Sequence, residues 1–308
     1  MKIAVIGIGA VGGYFGAKLA KAGYDVTFIG TERSVKALKE NGLFIKSYKG
    51  DIKIKNPKAY NAFEAIKDTD VVLFCVKSYY TESIAKNLKE RINDKAVIIS
   101  LQNGIENENV LASVFGKERI IASAVYITAA SKQPGVINHT GYGKIILGEM
   151  DKKITPRVEE LQKMFLKADI PAGTSDNVLR ELWKKLILNT AYNGFSTLID
   201  NTLIDILKFP EAKIAFADVL KESQKIANAE GMEISDDDVN GIVEMLNQES
   251  FINFKASTLQ DMEKGNPVEI DTLQGTIVRT AQKHELKAPL NNLIYSLIKL
   301  KYLGRKSG

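Results

Sequence analysis

The sequence has little of the residues that build disulfides or metal sites. Of its 308 residues, one is cysteine and two are histidine, so no disulfide can form within the chain and no metal site is expected. Cys75 lies in the apolar run 71–76, where a buried structural cysteine is favoured over a catalytic thiol. We therefore expect a protein of the reducing cytoplasm that binds no metal.

Long apolar runs and a large excess of one charge are absent as well. No stretch of 18 apolar residues occurs, and the apolar N-terminal run is interrupted at Gly7, which does not fit a signal peptide. The net charge of +5 is spread over the chain without a basic tract. Neither a membrane nor a nucleic acid is therefore an expected partner.

The chain is long enough for two domains, and its pattern changes part-way. Up to about residue 174, short apolar strands alternate with helices, a hairpin is predicted around Gly50, and strands over 120–148 turn at Pro134-Gly135 and at Gly141. This predicts an α/β fold: an N-terminal Rossmann-type domain with a mostly parallel sheet, residues 1–174.

After residue 174 the sequence has almost only helical periodicity. Residues 175–308 are therefore predicted to form an all-helical domain that binds the substrate. The predicted helices cover residues 176–193, 210–231, 236–264, 268–284 and 289–302.

A glycine pattern follows the first predicted strand. Gly7, Gly9 and Gly12 form G-x-G-x-x-G between that strand and a helix, the arrangement in which a tight turn brings the backbone close to a pyrophosphate. The helix N-terminus then offers N–H groups and a positive dipole end to the phosphates. We predict a dinucleotide site here, formed by Gly7, Ile8, Gly9, Ala10, Val11 and Gly12.

The end of the second strand bears on which dinucleotide binds. NAD sites usually have Asp or Glu there, to accept from the ribose 2′-hydroxyl, whereas this chain has Gly30 and Thr31. Arg33 and Thr31 suit a 2′-phosphate, although Glu32 between them argues the other way. NADP is the predicted cofactor, and the alternative is that Glu32 and Arg33 are solvated charges.

A polar stripe lies on the first helix of the second domain. Lys185, Asn189 and Asn193 recur at i, i+4 and i+8, next to the apolar stripe of Leu182 and Leu186. A lysine in a partly desolvated site can hold and protonate a carbonyl oxygen, and asparagines there can orient a polar substrate. The alternative is a solvated face with an extended lysine.

Further candidates follow in the helical region and on the loops of the sheet. Asn266, Pro267 and Glu269 read as a capping box at a helix start, or Glu269 is a carboxylate that orients Lys185 or a substrate hydroxyl. Lys77 and Asn103 follow two buried strands, at the sheet edge where open α/β sheets bind ligands.

Together these motifs resemble the ketopantoate reductases (2-dehydropantoate 2-reductases), over nearly the whole chain. The motifs that establish the resemblance are G-x-G-x-x-G, Val76-Lys77, Gln102-Asn103-Gly104, Trp183-x-Lys185-Leu186-x-x-Asn189-x-x-x-Asn193, Ser257-x-Leu259-Gln260-Asp261 and Glu269-Ile270-Asp271. The resemblance implies a Rossmann domain and a helical domain with the active site in the cleft between them. It also implies hydride transfer from NADPH to the C2 carbonyl of ketopantoate, which yields pantoate for coenzyme A.

The resemblance implies a role for each matching residue. Lys185 matches the proton donor, and Glu269 matches a catalytic carboxylate near cofactor and substrate. The matching substrate-binding residues are Asn103, Asn189, Asn193 and Ser257, and those lining the nicotinamide side are Lys77, Asn103 and Ala130.

Some positions depart from the family pattern, two of them around the substrate and one at the cofactor. Gln274 and Phe254 stand where relatives often have asparagine, and Thr31 stands where many have arginine. A reductase of another branched or aromatic 2-keto acid is therefore an alternative, and a dinucleotide-binding regulator without turnover is a more distant one. The apolar helices would suit a homodimer.

Overall fold

The computed structural model describes residues 1–246 and 254–306. The chain divides into two compact units. Unit 1 contains Met1–Gln102 and Glu106–Val178, and unit 2 contains Asn103–Ile105 and Leu179–Gly308. Within the described residues, no helix is both long and apolar enough to cross a lipid bilayer. We propose that the boundary between the dinucleotide-binding domain and the helical domain lies after Thr174.

Unit 1 is built on a mostly parallel sheet, as predicted from the β/α alternation. The strands run in the order β4-β3-β9-β8-β7-β6-β1-β2-β5, with β10 also paired to β9. Only β3–β4 and β8–β9 are antiparallel among the paired strands. The strands are β1 (Lys2–Ile6), β2 (Asp25–Ile29), β3 (Leu43–Ser47), β4 (Ile52–Ile54), β5 (Lys58–Tyr60), β6 (Val71–Phe74), β7 (Val97–Ser100), β8 (Ile120–Gln133), β9 (Val136–Gly148) and β10 (Ala172–Thr174).

Helices cover both faces of this sheet. Ile3 and Val5 of β1 belong to one apolar core, and Ala4 and Ile6 belong to the other, which is why the strand is apolar throughout. The helices are α1 (Ala10–Lys21), α2 (Glu32–Asn41), α3 (Thr81–Leu88), α4 (Asn107–Phe115) and α5 (Pro156–Lys167).

The three predicted turns of unit 1, at Gly50, at Pro134-Gly135 and at Gly141, have different outcomes. The turn at Pro134-Gly135 separates β8 from β9, and the hairpin around Gly50 separates β3 from β4, so both are confirmed. The turn at Gly141 is wrong, because β9 continues through it. There Tyr142 has φ 59° and the β8–β9 register shifts. An irregularity of this kind keeps the strand paired while it bends.

Unit 2 is helical, as predicted. Its described helices are α6 (Val178–Ile199), of which only the first residue belongs to unit 1, α7 (Leu203–Lys208), α8 (Pro210–Ala229), α9 (Asp236–Leu246), α10 (Ser257–Glu263), α11 (Gln274–Lys283) and α12 (Pro289–Lys306). The helix predicted over 236–264 corresponds to α9 and α10, and residues 247–253 between them lie outside the described residues.

The helix predicted over 268–284 starts later than its capping box suggested. The helix α11 begins at Gln274, and the chain before it turns, with the N–H groups of Thr272 and Leu273 donating to the carbonyl of Glu269. Val268, Glu269 and Ile270 are consecutive and all buried. With Asn266 as its N-cap the helix would begin at Pro267, but it begins seven residues later, so the capping-box explanation of Glu269 is wrong.

An ion pair between a buried carboxylate and a half-buried guanidinium joins the end of β9 to the start of α5. The Glu149 carboxylate accepts from Nε of Arg157 at 2.7 Å and from Oγ1 of Thr155 at 2.6 Å. Burial opposes ionisation of Glu149, but the hydrogen bonds from Arg157 and Thr155 outweigh it and hold the pKa of this carboxyl below its ordinary value of 4.5.

This pair predicts a pH-dependent contribution to stability. Glu149→Gln should lower the free energy of unfolding by about 1–3 kcal/mol near neutral pH, because charge-assisted hydrogen bonds become neutral ones. Since the folded-state pKa lies below 4.5, the stabilisation is present above that pH and is lost as the pH falls through the folded-state value. Urea unfolding across pH checks this, with the exposed Glu160→Gln of α5 as control. A pH-independent difference would contradict it.

Candidate active site

The glycine turn lies between β1 and α1, at the carboxyl end of the parallel strands. Gly7 has φ +102°, a left-handed conformation that favours glycine, and its N–H donates to the carbonyl of Ile29 at 2.8 Å. Gly9 precedes the first residue of α1 without a side-chain cap. The first N–H groups of a helix have no partner within it, so this end of α1 can bind an anion.

Gly9 and Gly12 have different physical reasons to be glycine. A Cβ on Gly12 would lie 2.1 Å from the carbonyl oxygen of Gly7 and 3.0 Å from Cβ of Cys75. A Cβ on Gly9 would meet no protein atom within 4 Å. Gly12 is therefore required by helix–strand packing, whereas the absent side chain of Gly9 leaves open a space that a pyrophosphate can fill. The residues present fit a dinucleotide.

The loop after β2 is the second segment that the sequence assigns to the dinucleotide site, after the glycine turn. Thr31 precedes α2 and its Oγ1 accepts from the N–H of Ser34 at 3.3 Å and lies 3.1 Å from Oγ of Ser34. Thr31, Glu32 and Arg33 are exposed. The first turn of α2 and its cap thus carry two hydroxyl groups, one guanidinium and one carboxylate, and the carboxylate disfavours an anion there.

The remaining predicted cofactor residues follow other strands. Lys77 is half-buried two residues beyond Cys75, at the start of a short 3-10 turn over Ser78–Tyr80. Ala130 is half-buried near the carboxyl end of β8. Asn103 follows β7 and belongs to unit 2, where the next residue, Gly104, has φ +94° and packs against Thr272.

In unit 2, α6 places the predicted lysine on its buried side. Lys185 and Asn189 are each 8% exposed and Asn193 is 2% exposed, so the alternative of a solvated helix face is wrong. The adjacent Lys184 has another environment, since it pairs with Asp238 at 3.1 Å. One residue along a helix turns a side chain by about 100°, which separates the two lysines.

Three of the four predicted substrate-binding residues, Asn189, Asn193 and Ser257, form one hydrogen-bonded group. Oδ1 of Asn193 accepts from Oγ of Ser257 at 3.0 Å and from the N–H of Thr258 at 3.1 Å. Nδ2 of Asn193 donates to Oδ1 of Asn189 at 3.4 Å. Ala256 precedes α10 without a side-chain cap, so Asn193 of α6 caps that helix from another part of the chain.

The turn with Glu269 is attached to the same helix. Nε2 of Gln274 donates to the carbonyl of Thr190 at 2.7 Å. This contact needs Gly194, because a Cβ there would lie 2.9 Å from Nε2 of Gln274. Glu269 is buried five residues before Gln274. Across the described ranges, no group of three or more His, Cys, Asp or Glu residues could hold a metal ion.

Comparison with known proteins identifies the family. Residues 3–152 match the family model described as ketopantoate reductase PanE/ApbA, and residues 177–302 match the one for its C-terminal part. This chain belongs to the ketopantoate reductase family. The family consists of oxidoreductases that bind a nicotinamide dinucleotide.

Members of the ketopantoate reductase family and one other enzyme resemble the chain over its whole length. The 2-dehydropantoate 2-reductase of Pyrococcus horikoshii is 33% identical and covers 98% of this chain and 97% of its own. A PanE/ApbA family ketopantoate reductase from Ralstonia eutropha JMP134 is 34% identical with a TM-score of 0.91, covering 99% and 100%. A D-mandelate dehydrogenase solved with NADH and anilino(oxo)acetate, 23% identical, shares the fold with a TM-score of 0.91 over 99% and 100%.

Several residues of this ketopantoate reductase family site were not identified in the sequence. Gln102 and Ser34 contact the elements that bear predicted site residues. Tyr192 is another, because its hydroxyl donates to the carbonyl of Phe254 at 2.5 Å, and burial raises its pKa. Adjacency to a predicted residue was the only sequence signal for Gln102 and Tyr192.

Replacement of Gly9 by alanine should affect dinucleotide binding, whereas the same replacement of Gly12 should affect stability. Gly9→Ala should leave the melting temperature of the ligand-free protein within about 2 °C and weaken dinucleotide binding at least about tenfold, since the new methyl group fills the space for the pyrophosphate. Gly12→Ala should lower the melting temperature by about 5 °C or more, because its Cβ meets the Gly7 carbonyl. Calorimetric titration and thermal melts measure both. Tight binding by Gly9→Ala would contradict the assignment of the turn.

Proposed function

We propose that this protein reduces 2-dehydropantoate to pantoate with NADPH. The observation that supports this most is the buried Lys185, which shares one helix with Asn189 and Asn193 in a chain that also has a dinucleotide turn. A lysine buried beside amide groups suits the recognition of a small anionic carbonyl compound.

Lys185 is the proposed proton donor. Its ammonium group binds the C2 carbonyl oxygen of the substrate and polarises the bond, and it then donates a proton to the oxygen as negative charge develops there. Bound NADPH supplies the hydride that C2 receives. Lys185 is reprotonated from solvent after the product leaves.

Other residues of unit 2 are proposed to hold the substrate. Asn189 and Ser257 orient its carboxylate and hydroxyl groups through hydrogen bonds, and Asn103 contacts substrate and cofactor. Asn193 supports Ser257 and Asn189, to which it is hydrogen-bonded. Glu269 accepts a hydrogen bond from a substrate hydroxyl or from Lys185.

The cofactor is proposed to be NADP. The turn of Gly7, Ile8, Gly9, Ala10, Val11 and Gly12 would hold the pyrophosphate, and Lys77 and Ala130 would line the nicotinamide side. Arg33, with the hydroxyls of Thr31 and Ser34, would bind the 2′-phosphate at the N-terminus of α2.

A reductase of another 2-keto acid is the second candidate. Gln274 stands where relatives often have asparagine, and it lies buried against the helix of Lys185. A D-mandelate dehydrogenase shares the fold, so the fold alone does not decide which side chain the keto acid bears.

Lys185→Ala should lower kcat by at least about 10²-fold, as expected for loss of a general acid that also binds the carbonyl. Lys184→Ala is the matched control, because it removes the neighbouring lysine that pairs with Asp238. We expect kcat of that variant to stay within about threefold of the wild type. Steady-state turnover with NADPH measures both, and near-normal turnover of Lys185→Ala would exclude its proposed role.

Paired assays with NADPH and NADH test the cofactor and the substrate together. With NADPH, kcat/KM for 2-dehydropantoate should exceed that for 2-oxoisovalerate and phenylglyoxylate by at least about tenfold.

Arg33→Ala should raise KM for NADPH at least about fivefold and leave KM for NADH within about twofold, because only the 2′-phosphate contact is lost. A higher kcat/KM for another keto acid would select the second candidate, and an equal effect on both cofactors would contradict the 2′-phosphate site.

A further inference from the structure

We propose that Gln102 and Thr81 are positioning residues that hold the loops bearing Lys77 and Asn103 at the carboxyl edge of the sheet. The inference rests on the proposed function, in which both loops contact the dinucleotide. Neither Gln102 nor Thr81 has a role in the chemistry itself. Their contribution is the geometry of a buried hydrogen-bond network between two neighbouring loops.

The network begins where the backbone ladder of the sheet ends. The strands β6 and β7 are parallel neighbours whose last paired residues are Phe74 and Ser100. Beyond them, the N–H of Leu101 donates to the carbonyl of Phe74 at 2.9 Å. The next link is a side chain, since Nε2 of Gln102 donates to the carbonyl of Val76 at 3.0 Å. This bond extends the strand pairing into the loops.

The second proton of the Gln102 amide extends the network to the helices. Nε2 of Gln102 donates to Oγ1 of Thr81 at 2.7 Å, and Oγ1 of Thr81 donates to Oδ1 of Asn107 at 2.9 Å. Because an amide nitrogen only donates, the Thr81 hydroxyl accepts from Gln102 and directs its own proton to Asn107. Thr81 and Asn107 are the first residues of α3 and α4.

Burial strengthens the hydrogen bonds of the network. Gln102, Thr81 and Asn107 are 4%, 2% and 3% exposed, so water does not compete well for their hydrogen bonds, and an unpaired group there is costly. Lys77 directly follows Val76, and Asn103 directly follows Gln102. Loops are otherwise the mobile parts of a fold, and side chains that bind a reacting pair must be held within a fraction of an ångström.

Thr81→Val removes the hydroxyl and keeps the shape of the side chain. We expect it to weaken NADPH binding at least about fivefold by calorimetric titration and to lower kcat/KM for the keto acid at least about tenfold. Thr81→Ser retains the hydroxyl and should stay within about threefold of the wild type in both. If Thr81→Val is recovered unfolded, Gln102→Leu, which removes both donors, is measured in its place.

Thr69→Val is the matched control for simple loss of stability. Thr69 is a buried threonine at the opposite end of β6, and the carbonyls of Lys2 and Val71 share the one proton of its hydroxyl as acceptors. It should lower the melting temperature and leave NADPH affinity within about twofold. If Thr81→Val also lowers only the melting temperature, the network is merely structural and the inference is overturned.

A double-mutant comparison tests whether the network acts through the two loops. In the background Lys77→Ala with Asn103→Ala, Thr81→Val should change NADPH affinity by less than about twofold, because the residues that it positions are absent. An undiminished effect would overturn the inference. If the wild type binds NADPH but does not reduce keto acids, only the proposed activity is disproved, because the binding comparison still tests the inference about Gln102 and Thr81. If the wild type binds no dinucleotide, the proposed activity and the inference are both disproved.

Discussion

The close approach of α1 to the central strands is the constraint on which the rest of unit 1 depends. The carbonyl oxygen of Gly7 occupies the place where any other residue at position 12 would have its Cβ, only 2.1 Å away. Only with glycine at that position can the helix lie against β1 and direct its N-terminus along the sheet edge. The open space at Gly9 is useful only because this packing brings the helix end there.

The arrangement of unit 2 depends in a similar way on α6. Hydrogen bonds join this helix to several other segments of the unit. Asn193 caps α10 and holds Ser257, and Gln274 bonds to the carbonyl of Thr190. At the far end, the ammonium of Lys301 donates to the carbonyl of Thr197 at 2.7 Å, which suits the negative end of the helix dipole. A helix held in this way presents Lys185 on a rigid element rather than on a loop.

Much of the fold could be predicted from the sequence, and the errors have a common origin. Strand and helix types followed from local periodicity, but the helix expected from Asn266 begins only at Gln274. A capping box is a local preference, and burial of Val268 and Ile270 in the apolar interior overrides it. The expected turn at Gly141 failed in the same way, because pairing with β8 continues the strand.

The sequence by itself determined that the chain has a dinucleotide turn, a mostly parallel sheet and a helical second part. These features depend on the backbone freedom of single glycines and on the periodic spacing of apolar residues along short segments. Both properties are local in the sequence. Only the tertiary structure decided that Lys185 is buried and not solvated, that Asn193 caps a helix that begins 64 residues later, and that Gln102 joins two loops. Those roles arise from contacts between distant residues, and packing sets such contacts without leaving a local pattern.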